Sequence, residues 1–328
     1  LFTGSFESAI YLLGSITGVP ENVHVIPAIN SNFSHHISAG LKDGTVITGQ
    51  NAISHPLPPS SSSPEAGNLT ALTSPSTTLL QSVPESPHTQ FRRISKELSE
   101  HDRVEDANLP GSLPTLRKQY ITFYKSDAED LPSRIERIWY INPYGQEIRP
   151  APNQAVLSAL GEASAVIFSI GSLYTSIIPS LILRDVGAAV GDPLIRFKIL
   201  ILNGSLDRET RAVDFAFGAK DFVKAVADAC CYGSGARVGE GCMREEWRNY
   251  VTHVVHLNGE GTPSVEREEL AALGVDCVRI YGRKNGNGEG MIYDSGLMLA
   301  LEAILGGPRR GEKEGTGLSR RNTLNVTS

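Results

Sequence analysis

The sequence predicts an α/β fold: a three-layer sandwich around a mainly parallel sheet, with a small antiparallel hairpin region attached. Three observations predict it. From about residue 135 onward, short apolar strands alternate with helical patterns, the signature of βαβ units. The strand Phe197-Lys198-Ile199-Leu200-Ile201-Leu202 is apolar throughout except for one Lys, as expected of a sheet covered on both faces. Near the start of the chain, Lys42-Asp43-Gly44-Thr45 supplies turn chemistry between Leu41 and Val46, which makes a hairpin.

The chain opens on a helical pattern through Ala9, Ile10, Leu12, Leu13 and Ile16. Val23 to Pro27 and Ile37 to Leu41 read as short strands, and Val46-Ile47-Thr48 is the return strand of the hairpin. From Pro56 to Thr89, 20 of 34 residues are Ser, Pro or Thr. Such a composition buries too little apolar surface to offset the entropy of ordering, so 56–115 is expected to be a disordered Ser/Pro-rich insertion. It interrupts a single α/β domain made of 1–55 and 116–306, because the strands that follow need partners. Arg92-Arg93-Ile94-Ser95 within it has the form of a basic-directed phosphorylation site.

Ordered patterning resumes with the alternating strand Ile135 to Ile141. Pro152 opens a helix through Val156, Leu157 and Leu160. Ala165-Val166-Ile167-Phe168 is a strand, followed by a polar turn and a helix from about Thr175 to Leu183. After the strand at Phe197 come helix Lys220 to Ala229, strand Thr252 to Leu257, helix Val265 to Leu273, strand Cys277 to Tyr281 and helix Ser295 to Leu305. The tail, 307–328, is rich in Gly, Arg and Glu and is expected to be unstructured. No internal repeat is visible, which excludes solenoids and propellers.

Composition narrows the function classes. With 328 residues and 40% hydrophobic content the chain can build a substantial core. A net charge of -6 provides no general basic field for nucleic acid, and no apolar run approaches the roughly 20 residues of a membrane span. Cys230, Cys231, Cys242 and Cys277 lack the paired spacing of a zinc site and the number for a disulfide framework, so they read as reduced thiols in packing roles. Leu1 to Phe6 shows no signal-peptide pattern and runs straight into the first helix, which reads as a chain cut inside a domain. A cytoplasmic location is the default expectation. The glycosylation sequons at Asn68 and Asn325 then read as chance matches in polar segments.

In open α/β sheets ligands sit beyond the carboxyl ends of the strands. Two positions there stand out. After Phe168 come Ser169, Gly171, Ser172, Thr175 and Ser176, where small residues admit a phosphate close to the backbone and hydroxyls can donate to it. The same spacing also fits a plain helix N-cap by Ser172 or Thr175. After Leu202 come Asn203, which can meet a base or sugar edge, and Arg208, which can pair with a phosphate or make surface ion pairs with no ligand. His35 and His36 are adjacent on a strand and point to opposite faces, so they do not make a metal site by themselves. The turn containing Tyr140, Asn142, Tyr144, Gln146 and Glu147 fits aromatic stacking on a flat ligand or, more simply, packing on its own core. No catalytic residue and no metal ligand is assignable.

Several strings go beyond fold patterning: Leu41-Lys42-Asp43-Gly44-Thr45-Val46-Ile47-Thr48-Gly49-Gln50 with Ile53, Gly171-Ser172-Leu173-Tyr174-Thr175-Ser176-Ile177-Ile178-Pro179, and Leu200-Ile201-Leu202-Asn203 with Asp207-Arg208-Glu209-Thr210. In these the chain resembles CofD-like proteins, a family that includes the archaeal 2-phospho-L-lactate transferase and the bacterial YvcK-type gluconeogenesis and cell-wall factors. The resemblance implies a Rossmann-like domain whose crevice binds a phosphorylated, nucleotide-type small molecule. Separately, a homodimer is kept open as the assembly. For the transferase branch it implies passage of a phospholactyl group from a nucleotide diphosphate carrier to a deazaflavin alcohol, with Mg2+ on the phosphates. On that reading Ser169, Gly171, Ser172, Thr175 and Ser176 hold phosphate oxygens and Asn203 helps form the pocket. Two further classes stay open: a noncatalytic YvcK-like regulator binding a nucleotide sugar or dinucleotide, and a scaffold that has lost the ligand. Where the bacterial pattern has Gly-Pro-Gly-Ser, this chain has Ser169-Ile170-Gly171-Ser172, as in a eukaryotic branch. The family's Gly-rich first turn and metal-binding Asp residues have no counterpart here, so the expected Mg2+ ligands lie outside this chain.

Overall fold

The computed structural model describes residues 5–31, 33, 35–55, 111–113, 116, 130–213, 215–284, 291–293 and 295–306. The bulk of the expected insertion, with Asn68 and Ser95, and the expected tail with Asn325 lie outside the described residues. Gly111, Ser112 and Leu113 are described, and they dock on the body of the protein. The Leu113 amide donates to Pro143 O at 2.8 Å and its side chain packs with Leu116, Trp139 and Ile141.

Helix α1, Phe6–Thr17, begins where the Ser5 side chain accepts the Ser8 amide and ends at Gly18 with φ 71°. It leads to an antiparallel sheet in the order β2-β1-β3-β4, formed by β1 His36–Leu41, β2 Val46–Thr48, β3 Ile135–Ile141 and β4 Glu147–Ile148. The β1–β2 hairpin closes as the sequence indicates: the Leu41 amide donates to Thr45 O, the Thr45 amide donates to the Asp43 carboxylate, and Gly44 takes φ 89°. Helix α2, Gln50–Ser54, follows β2 and buries Ile53 completely. Strand β3 pairs along the whole of β1, from His36 opposite Ile141 to Leu41 opposite Ile135.

The second sheet is parallel and runs in sequence order: β5 Ala165–Phe168, β6 Phe197–Ile201, β7 His253–His256 and β8 Asp276–Arg279. Side chains alternate faces with the period of two that a strand dictates. Leu200, Leu202 and Val254 join the main core, which also contains the inner faces of β1 and β3. Ile199, Ile201 and Val255 join a second cluster on the other face with Ala300 of the helix Gly296–Leu305. Both faces are therefore covered, and the chain is an α/β protein as expected. The lone Lys198 in β6 is 3% exposed and places Nζ on two carbonyls, Asp192 O at 3.0 Å and Asn249 O at 2.6 Å. Asp192 caps the end of one helix and Asn249 ends another, so one cation satisfies two helix C-termini.

The structure differs from the sequence reading in several elements. Val23 to Pro27 is not a strand: no ladder partner stands beside it among the described residues, and Val23 and Val25 are exposed. The helix after β5 starts as a π-helical turn, Leu173–Ile177, before the short α-helix Ile178–Leu181. Helix Val186–Gly191, the 3-10 turn Arg244–Asn249 and the hairpin Gly282–Lys284 with Met291–Tyr293 have no counterpart in the sequence pattern, being too short to show a period. Among the described residues, no helix is long and apolar enough to cross a membrane.

Candidate functional site

Parallel pairing of β5 with β6, Phe168 opposite Leu200, brings the two polar turns singled out in the sequence to one edge. Past Phe168 the chain reverses through a Gly171 amide donating to Ser169 O at 2.8 Å. A Cβ at Gly171 would lie 2.8 Å from Ser176 Cβ, so the reversal requires glycine there. Ser169 and Ser176 are exposed, and Ser172 and Asn203 are half-buried. The side chains of these four residues make no hydrogen bond among the described residues. Behind Asn203, the Met291 amide donates to Gly204 O at 2.8 Å, and a Cβ at Gly204 would stand 1.8 Å from Met291 O. The hairpin of Met291 thus presses on the turn after β6 and leaves Asn203 as its polar tip.

Thr175 and Arg208 are placed differently from the rest. The Glu209 carboxylate, 3% exposed, accepts the Tyr174 amide at 2.9 Å and the Thr175 amide at 3.1 Å on Oε2. Its Oε1 accepts the Ser54 hydroxyl at 2.7 Å and the Thr175 hydroxyl. An internal carboxylate therefore occupies the amides that a phosphate would use at the start of this turn. Thr175 is 8% exposed, and its amide and hydroxyl are both turned inward. Arg208 donates Nη1 to Ala52 O at 2.8 Å and Ile53 O at 2.6 Å, carbonyls in the last turn of α2. Arg208 and Glu209 together tie α2, the π-helical turn and the loop after β6 into one unit. Burial pushes the Glu209 carboxyl up, while its donors from Thr175, Ser54 and Tyr174 pull it down.

Sequence reasoning missed Glu209 as an organising residue, and no local signal marks it, because its partners lie 34 to 155 positions away. It also missed His256, which ends β7 at the same carboxyl edge of the sheet. His256 is 5% exposed, its Nδ1 lies 3.1 Å from Leu257 O, and its Nε2 has no partner among the described residues. Burial lowers its pKa, which favours the neutral ring. His35, just before β1, and His36, its first residue, each have an Nε2 with no partner among the described residues. The Tyr140 hydroxyl donates to Pro179 O at 3.0 Å, and the Asn142 carboxamide receives the amides of Tyr144 and Gln146. That turn packs on its own body.

A cleft of about 500 Å3 lies between β1, β3 and the helix Ala219–Gly233. It takes Leu41, Gly44, Thr45, Tyr174 and Ile178 from the strings quoted above, and none of Ser169, Gly171, Ser172, Thr175, Ser176, Asn203 and Arg208. Its walls include Arg137, whose guanidinium lies over the Trp139 ring at 4.6 Å, together with Tyr232 and Arg237.

Mg2+ takes carboxylate and water oxygens, and two carboxylates after β6 are engaged by internal donors. Asp207 Oδ1 is engaged by the Thr210 amide and hydroxyl, and Glu209 is engaged by four donors. The other described cluster with metal-ligating atoms, Cys231, Cys242 and Glu246, is rich in sulfur and lies elsewhere.

The family model for 2-phospho-L-lactate transferase CofD matches residues 1–280. An uncharacterized protein of Saccharomyces cerevisiae, YNL011C, is 36% identical over 267 residues, which are 79% of this chain and 57% of that protein. The chain thus spans just over half the length of this relative. Two crystal structures of BH3568 from Bacillus halodurans, one described as a member of the UPF0052 family, share the fold. They cover 93% of this chain and 67% and 68% of the other, with TM-scores of 0.53 and 0.54 at 18% and 16% identity.

Proposed function

The chain belongs to the CofD family, and on that premise we propose that the edge formed by the turns after β5 and β6 binds the phosphate of a nucleotide-linked ligand, in a Rossmann-like domain. The observation that supports this reading is the position of Ser169, Ser172, Ser176 and Asn203, four polar side chains without a hydrogen-bond partner among the described residues, in the turns that follow adjacent parallel strands. Each hydroxyl donates one hydrogen bond to a phosphate oxygen, and the Asn203 carboxamide meets the ligand's base or sugar. Thr175, Arg208 and Glu209 hold this wall in shape without touching the ligand. In the transferase reading the ligand is a phospholactyl nucleotide diphosphate and the acceptor a deazaflavin alcohol. The protein's part is then positioning and the hydrogen bonding of phosphate oxygens.

A noncatalytic regulator that binds a nucleotide sugar or dinucleotide is the second reading. It is favoured by the engagement of Asp207 Oδ1 and of the Glu209 carboxylate by internal donors. Thermal-shift and calorimetric titration of guanosine and uridine diphosphates and their sugar conjugates, with and without Mg2+, tests binding. A ligand at 100 times its Kd stabilises by about 2.7 kcal/mol. Ser172→Ala and Asn203→Ala are expected to weaken binding at least tenfold with the unliganded melting temperature unchanged. Absence of a shift with every nucleotide sinks both readings, and binding without product from carrier and acceptor selects the regulator.

A further inference from the structure

Cys231 lies near the end of the helix Ala219–Gly233, and Cys242 follows it by eleven positions, just before the 3-10 turn Arg244–Asn249. The segment between them carries glycines at 235, 239 and 241 with positive φ, and it folds back so that the two Sγ atoms stand 2.7 Å apart. Both cysteines are half-buried, and the residues from Ser234 to Gly241 are largely exposed. The return is anchored by the Cys242 amide donating to the Asp228 carboxylate at 2.7 Å and by Trp247 Nε1 donating to Cys242 O at 3.2 Å. Glu246 Oε2 lies 3.7 Å from Cys242 Sγ, and the Tyr250 hydroxyl lies 3.6 Å from Cys231 Sγ. The neighbouring Cys230 is fully buried in the core and takes no part.

Two chemistries suit two thiols and a carboxylate: a soft metal ion or a disulfide. Two thiolates on tetrahedral zinc stand about 3.8 Å apart, given Zn–S bonds of about 2.3 Å. A disulfide brings them to about 2.05 Å. The observed separation is nearer the disulfide value than the zinc value. The geometry points to Cys231 and Cys242 as a reversible dithiol–disulfide pair that staples the glycine-rich loop bordering the cleft of Arg137, Tyr232 and Arg237.

Oxidation proceeds by exchange with a small-molecule disulfide such as oxidised glutathione. The Cys231 thiolate attacks one sulfur of the oxidant, forms a mixed disulfide and releases one thiolate. Cys242 loses its proton toward Glu246 and solvent, and its thiolate attacks Cys231 Sγ. The second thiolate of the oxidant then departs. Each leaving thiolate takes up one of the two protons lost by the cysteines, and the oxidant's one disulfide is exchanged for one in the protein.

The test is oxidation of the full chain with oxidised glutathione, followed by alkylation and intact-mass analysis. Of the four cysteines, two are expected to resist alkylation, with fragmentation placing the bond between Cys231 and Cys242. Trypsin cleavage after Arg237, in the stapled loop, is expected to slow at least fivefold on oxidation and to recover on reduction. Cys242→Ser is expected to abolish both effects, and Cys231→Ser serves as a second variant should the first unfold. Four alkylatable thiols after oxidation, a bond involving Cys230 or Cys277, or one equivalent of zinc in the purified chain that is lost in Cys242→Ser would overturn the assignment.

Discussion

Replacing Glu209 tests whether an internal carboxylate, and not a ligand, organises the turn after β5. In the parent chain the carboxylate accepts two backbone amides and two hydroxyls in a site that is 3% exposed. In Glu209→Ala the Ser54 and Thr175 hydroxyls, already 3.1 Å apart, can pair with each other. The amides of Tyr174 and Thr175 have no such recourse. Each buried unsatisfied donor costs about 1–3 kcal/mol, so Ala is expected to destabilise by about 2–6 kcal/mol. In Glu209→Gln the carboxamide oxygen can still accept both amides while its NH2 group donates to the hydroxyls. The charge-assisted gain is lost, but so is the burden of burying a charge. The Gln variant is therefore expected to lose about 1 kcal/mol or less. Equilibrium urea unfolding followed by circular dichroism reads both values. The reasoning would be refuted by an Ala variant within 1 kcal/mol of the parent, or by a Gln variant as unstable as Ala.

Lys198→Met keeps the apolar stem in the sheet but strips two carbonyls of their donor, and a loss of about 2–4 kcal/mol is expected in the same unfolding assay; an unchanged midpoint would show that water replaces the ammonium. Gly204→Ala forces a Cβ against Met291 O, so stability is expected to fall by at least about 2 kcal/mol, and hydrogen exchange should rise selectively in the hairpin of Met291. Burial lowers the pKa values of His35, His36, His253 and His256, so the unfolded chain protonates before the folded one. Their contribution to stability is complete above about pH 6.5 and is lost as the pH falls through their folded values. Glu209, raised by burial, acts in the opposite sense but is one group against four. The melting temperature is expected to drop between pH 7.5 and 5, less steeply in His36→Phe; a flat profile would contradict this.

Much of this chain was legible because its information is local. Alternation in Ile135 to Ile141, continuous apolarity in Phe197 to Leu202 and the Asp43-Gly44 turn each encode their own backbone geometry, and the structure has all three. The strand-end rule also led to Ser169, Ser172, Ser176 and Asn203, in the turns that follow the adjacent strands β5 and β6, and their part in binding is the proposal made above. Val23 to Pro27 misled, since β propensity makes a strand only where a partner edge is present.

What Thr175 and Arg208 do, by contrast, was decided by Glu209, Ser54 and the end of α2, brought together across 34 to 156 positions of chain. Cys231 and Cys242 likewise read as unremarkable thiols until a glycine-rich loop carried one back onto the other. Sequence spacing fixes which groups a segment offers. Whether an amide, a guanidinium or a thiol meets a ligand or another part of the chain is settled by which donors and acceptors the closed fold leaves without a partner.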